Sequence, residues 1–202
     1  MATQEKNPPD SKRLLEERCL AAFVHAGTID LSLDQLANIV GISKRMLIHY
    51  FGGRDEIENG AMTLLEDGLR KQFAPEAFAP SASLVVVVAA LWKRTTATES
   101  RGALLLVMDL SRRAWMGSSR AKAFYAEQQK LWVGLLMRFH PNRFVVEELL
   151  QLFQGALLAY LITGDPEPGR RSLMRFLSKK RASAPQPTEE PGRETSESGR
   201  RL

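Results

Sequence analysis

A single cysteine, Cys19, and three histidines standing far apart at positions 25, 49 and 140 are all that the 202-residue chain offers as soft metal ligands. One cysteine cannot close an intramolecular disulfide, and none of the spacings of a zinc site can be built from this set. No metal and no cofactor is therefore expected. Phosphate loops, G-x-G-x-x-G turns and nucleophile–base pairs are missing as well, which leaves an all-helical enzyme as the least supported reading. No apolar run approaches the roughly 18 to 20 residues of a spanning helix. The opening MATQEKNPPD carries no apolar signal-peptide core. The expected setting is a reducing cytoplasm, with no membrane partner. Aromatic residues are sparse at 7%, yet 44% hydrophobic and 25% charged residues exclude disorder of the whole chain.

The net charge of +5 suggests a polyanionic partner, but a total does not say where the charge sits. Residues 1 to 80 hold 9 Lys/Arg against 12 Asp/Glu, while residues 81 to 181 hold 16 against 7. The positive excess thus belongs to the later part of the chain. Nucleic acid held by the N-terminal part needs a local patch.

Proline and glycine divide the chain into segments whose apolar spacing is helical, so the expected fold class is all-α. Leu15, Cys19, Ala22, Phe23 and Ala26 form one stripe of a first helix that stops at Gly27. Ile57, Ala61, Leu64, Leu65 and Leu69 do the same from about Arg54 to Phe73. Four consecutive valines at 85 to 88 favour a strand by propensity. With no strand partner elsewhere, and with helical register continuing through Lys93 and Arg94, that segment is read as a buried helix. Further helices are expected at about 100–116, 119–139, 144–163 and 169–181. The organisation that follows is a flexible N-terminus (1–10), a helix-turn-helix domain (11–53, motif 32–51), a linking helix (54–73), a larger helical domain (74–181) and a disordered tail (182–202). The tail, from Ala182 on, has no apolar residue larger than alanine before its last, and cannot repay the entropy of ordering.

Residues 31 to 54, LSLDQLANIVGISKRMLIHYFGGR, are the most informative. Ser32 and Gln35 form an S-x-x-Q capping box, with Leu31 and Leu36 as its hydrophobic staple. Leu33, Leu36, Ala37 and Val40 give the helix an inward face, Gly41 suits its left-handed end, and Ser43 can cap the next helix. Two short helices around a tight glycine turn make a helix-turn-helix. At about 100° per residue, with Leu47 at zero, Phe51 falls near 40° on the buried side. Arg45, Met46 and His49 fall between about 160° and 260°, away from the core. Such a row fits a major groove, where Arg45 could make a bidentate contact to guanine. Lys44, Tyr50 and the amides at the start of the Arg54 helix would hold phosphates, which position without reading sequence. The expected DNA-binding residues are Ser43, Lys44, Arg45, Met46, His49, Tyr50 and Arg54.

From about Leu14 to Phe73, roughly 60 residues, the chain resembles the DNA-binding domain of the tetracycline-repressor (TetR) family. The resemblance rests on Ala22-Phe23 with Gly27, Ser32 to Ala37, Gly41-Ile42-Ser43-Lys44, Leu47, His49-Tyr50-Phe51, Arg54 and Ile57. It implies a transcriptional regulator, more often a repressor, that binds double-stranded operator DNA as a homodimer and is released by a small-molecule effector. Arg45 and Met46 replace the family's usual Gly and Thr, and Ile48 its tyrosine. Gly52-Gly53 fill the following loop, and Arg54 stands where lysine is frequent. These departures favour altered base reading and one phosphate contact fewer. They also motivate an alternative, a small-molecule binding protein whose helix-turn-helix has decayed.

The larger domain offers candidate pocket residues in Trp92, Met108, Asp109, Trp115, Phe124 and Trp132, with Tyr125 beside them. Asp109 interrupts the apolar run from Ala103 to Leu110. It is either a polar anchor in a greasy pocket or the partner of Arg112 or Arg113, three and four residues on. The helix at 144–163 is apolar over a wide arc, with a small Gly155-Ala156 patch. By resemblance it pairs with its symmetry mate together with the last helix, and Leu150, Phe153, Leu157 and Leu161 are the expected dimer contacts.

Overall fold

The computed structural model describes residues 8–72 and 74–182. Nine α-helices run through them: α1 (Pro8–Ala26), α2 (Leu33–Val40), α3 (Lys44–Phe51), α4 (Arg54–Gln72), α5 (Leu84–Thr95), α6 (Arg101–Trp115), α7 (Ser119–Met137), α8 (Arg143–Thr163) and α9 (Glu167–Ala182). No strand occurs among the described residues. The four valines lie inside α5, where Val87 and Val88 are buried, so tertiary packing overrides their β propensity. The first helix begins at Pro8, earlier than the expected flexible stretch to residue 10 allows, and the last reaches Ala182, one residue into the expected tail. The rest of both expected segments lies outside the described residues.

Two cores organise the molecule. The first joins α1 to α4 around Phe23, Leu36, Leu47 and Ile57, and it is completed by Leu106 and Leu110 of α6 and Phe124 of α7. The second lies among α5, α7, α8 and α9, around Leu91, Trp92, Leu149 and Leu173. The expected break after residue 73 is therefore bridged by packing, with α6 as the shared element. Gly102 permits this. A Cβ there would stand 2.3 Å from the Val24 carbonyl oxygen, so only glycine lets the start of α6 lie against α1.

The helix-turn-helix is built as the local sequence dictates. The Ser32 side chain accepts from the Gln35 amide at 3.1 Å, and Gln35 Oε1 accepts from the Ser32 amide at 2.8 Å. Gly41 ends α2 at φ 78°, and its amide donates to the Ala37 carbonyl. Ser43 then caps α3 by accepting from the Met46 amide at 3.2 Å.

One helix among the described residues, α8, is long and apolar enough by length and composition to cross a membrane, with a mean hydropathy of 1.5. This differs from the expectation of no such run. Val146, Leu149 and Phe153 are buried in the second core, and Glu147 and Glu148 pair with Arg143 and Lys180, which fits a core helix with one open face.

Candidate functional site

Helix α3 hangs on Leu47 and Phe51, 0% and 4% exposed, and turns the rest of its surface outward. Ser43, Lys44, Arg45, Met46 and His49 are all exposed, and Tyr50 is half-buried with its ring edge-on to His49 at 5.7 Å. Ile48 is exposed too, so the outward surface is partly apolar.

The basic residues differ in what they already hold. Arg45 has no ion pair or hydrogen-bond partner among the described residues. Lys44 reaches Asp34 of α2 at 3.0 Å, with both side chains largely exposed, a bridge worth little that water or phosphate can replace. Arg54, expected to touch phosphate, turns inward. Its guanidinium donates to the carbonyls of Leu31 at 2.6 Å and Ile29 at 2.8 Å and pairs with Glu58. It pins α4 to the segment entering α2. Asp55 and Glu56 occupy the first turn of α4, so an anion at that helix end would meet two carboxylates. The expected basic patch contracts to Arg45 and Lys44 on α3.

Asp109 is not a pocket anchor. It lies on α6 away from the cavity and clasps the loop between α1 and α2: its carboxylate accepts from Thr28 Oγ1 at 3.0 Å, the Ile29 amide at 3.2 Å and Arg112. Burial opposes its charge, but the hydrogen bonds from Arg112, Ile29 and Thr28 prevail and hold the carboxyl below its ordinary range. Arg112 extends the clasp to Asp30, and Arg113 bridges Asp30, Glu58 and Asp109. The partner with the nearer sequence position was legible; Thr28 and Asp30, about 80 residues away, were not.

On its other face α6 walls a cavity of about 370 Å³, completed by α4, α7 and α8. Met108, Phe124, Tyr125 and Trp132 line it. Trp92 and Trp115 do not. Trp92 is 2% exposed in the second core, donates its indole N–H to the Pro166 carbonyl at 3.1 Å, and has Gly169 of α9 packed against its ring. Trp115 ends α6 and is 87% exposed. Gln128, which sequence reasoning passed over, lines the cavity and is 8% exposed, and its Nε2 has no hydrogen-bond partner among the described residues. The signal available was its spacing: Gln128 falls on one helical stripe with Ala121, Phe124 and Leu135.

The four expected dimer contacts, Leu150, Phe153, Leu157 and Leu161, are buried within the single chain, and the first three also line the cavity. The apolar residues that α8 leaves open are Phe144, Leu158 and Ile162, on one stripe with the exposed Gly155, and of these Leu158 and Gly155 also border the cavity.

No protein-family profile and no curated protein matches this sequence. Among solved structures the fold is similar to that of a tetR-family transcriptional regulator from Streptomyces coelicolor (TM-score 0.68, 18% identity, covering 91% of this chain and 83% of that one). It is also similar to a candidate transcriptional regulator from Pseudomonas aeruginosa PAO1 (TM-score 0.65, 14% identity, covering 89% and 94%). The chain has the TetR-type fold, an N-terminal helix-turn-helix domain followed by a helical domain.

Proposed function

We propose that the chain is a TetR-like transcriptional regulator, a repressor that binds a near-palindromic operator as a homodimer and lets go when a small molecule fills the cavity. The observation that carries this reading is the shared position of α6. One face of that helix walls the cavity, and its last turns grip the loop and helix that hold the helix-turn-helix in place. A ligand that favours a different placement of α6 therefore alters the aim of α3.

In the operator-bound dimer the two copies of α3 lie in successive major grooves about 34 Å apart. Arg45 reads a guanine, with His49 and Met46 beside it, while Lys44, Ser43 and Tyr50 hold phosphates. The open stripe of Phe144, Leu158 and Ile162 on α8 supports the twofold contact, and Gly155 allows two helices to approach closely.

Selection of bound sites from random duplex DNA tests the reading. A recovered inverted repeat supports it. Enrichment of no sequence even at low salt, with small molecules still bound, would favour a ligand-binding protein with a decayed helix-turn-helix, a reading that draws on Ile48, the inward Arg54 and the acidic first turn of α4.

A further inference from the structure

The cavity walls are selective in a way that restricts what can enter. Among the described residues no Asp, Glu, Lys or Arg lines it, and its surface is dominated by Leu104, Met108, Phe124, Trp132 and Phe153. A charged ligand would lose its hydration with no opposite charge to replace it. Of the polar side chains on the walls, Gln72, Tyr125, Gln129 and Gln154 are half-buried or exposed and can keep water, and the three small hydroxyls are engaged within the chain. Thr95 donates its hydroxyl to the Leu91 and Trp92 carbonyls, Ser100 to that of Arg94, and Ser111 to that of Val107. Gln128 differs: its side-chain amide is buried against the cavity with Nε2 unpaired. A buried donor without an acceptor raises the free energy of the empty site, and an acceptor brought by a ligand removes that cost.

We infer that the cavity takes an uncharged, mainly apolar ligand with a carbonyl-type oxygen, which accepts a hydrogen bond from Gln128 Nε2 while aromatic rings pack against Phe124, Trp132 and Phe153. The volume of about 370 Å³ sits at the small end of ligand pockets and suits two or three rings. A neighbouring cavity of about 420 Å³ shares Leu69, Gln128 and Trp132 but is rimmed by Arg70, Lys130, Arg138 and Glu76. The inference deepens the regulator reading by naming the class of its effector, and its binding test uses no DNA.

Calorimetric titration of the full chain with three probes of matched shape decides it. Benzophenone supplies the acceptor, 1,1-diphenylethylene replaces that oxygen by a CH₂ group, and 4-benzoylbenzoate adds a carboxylate. Benzophenone is expected to bind at least about tenfold tighter than either of the others, because a site built around a hydrogen bond rejects the analogue that leaves it unmade. Gln128→Leu is expected to bring benzophenone to within about twofold of 1,1-diphenylethylene and to leave the latter's affinity unchanged, which also reports an intact site. If that variant does not fold, the wild-type ratios decide alone. The inference is overturned by no detectable benzophenone binding, by equal binding of benzophenone and 1,1-diphenylethylene, by a preference for the carboxylate, or by a ratio that survives in Gln128→Leu. Probe binding in the expected order with no enriched DNA sequence would uphold the ligand class and remove the regulator reading. An enriched palindrome with the probe order reversed would do the opposite.

Discussion

Three basic side chains surround the outward face of α3, and the structure leaves them in three different states. Arg45 is open, Lys44 is lightly engaged with Asp34, and Arg54 is tied to two backbone carbonyls and Glu58. Arg45→Ala is expected to cost about 1 to 3 kcal/mol on the selected operator and to relax specificity at one base pair per half-site. Equal losses on every sequence would reduce Arg45 to a phosphate clamp. Arg54→Ala is expected to lower thermal stability, read by circular dichroism, more than Lys44→Ala does, since it leaves two part-buried carbonyls without this donor. The difference between the two was invisible in the sequence, because the Ile29 and Leu31 carbonyls that capture Arg54 belong to the backbone more than twenty positions earlier. Cys19, by contrast, was legible from its place on the inward stripe. Burial, with the Glu16 carboxylate nearby, pushes its thiol up to about 11. N-ethylmaleimide at pH 8 should therefore label only the denatured chain. Above the ordinary thiol value of 9.0 the unfolded chain ionises first, so this group lowers stability as pH rises from about 9 to about 11.

Helix α6 carries the coupling between the two halves. Its inward face supplies Leu106 and Leu110 to the first core, its cavity face supplies Leu104 and Met108, and its end supplies Asp109, Arg112 and Arg113 to the clasp. Asp109→Asn keeps the shape of the side chain but removes the charge that the two arginines share. The expected outcome is weaker operator binding with probe affinity in the cavity unchanged, read by fluorescence anisotropy and calorimetry on the same preparation. Because the Asp109 carboxyl is held below its ordinary 3.8, its stabilising contribution is present above that pH and is lost as pH falls further. An acid titration of the Asp109→Asn variant should thus be flatter below pH 3.8 than that of the native chain. Helix boundaries, caps and the turn at Gly41 followed from local chemistry. The faces of α8 did not, because that helix is apolar on both sides: Leu150 and Phe153 face the cavity, while Phe144 and Ile162 face outward. Periodicity marks such a helix as doubly apolar without saying which side its own chain covers.

For the whole molecule, charge is distributed against the simplest expectation. The part with the helix-turn-helix is the more acidic, with 12 Asp/Glu against 9 Lys/Arg in residues 1 to 80, and few of its cations are open on α3. Lys44 is the α3 cation assigned to phosphate and Arg45 the one assigned to a base, so even with both counted a dimer releases at most about four counterions, and the logarithm of affinity should fall against that of salt with a slope no steeper than about −4. A slope near −8 would require phosphate contacts elsewhere. Ile162→Glu should shift the chain to monomer in sedimentation and weaken operator binding in parallel. The most direct test of the central claim is the ratio of affinities, at about 0.15 M salt, for the selected palindrome and for the same bases in shuffled order. For a regulator that reads sequence with α3, the native chain should prefer the palindrome by about 10³ or more, and Arg45→Ala should lower that ratio. A ratio near one for the native chain would contradict the account.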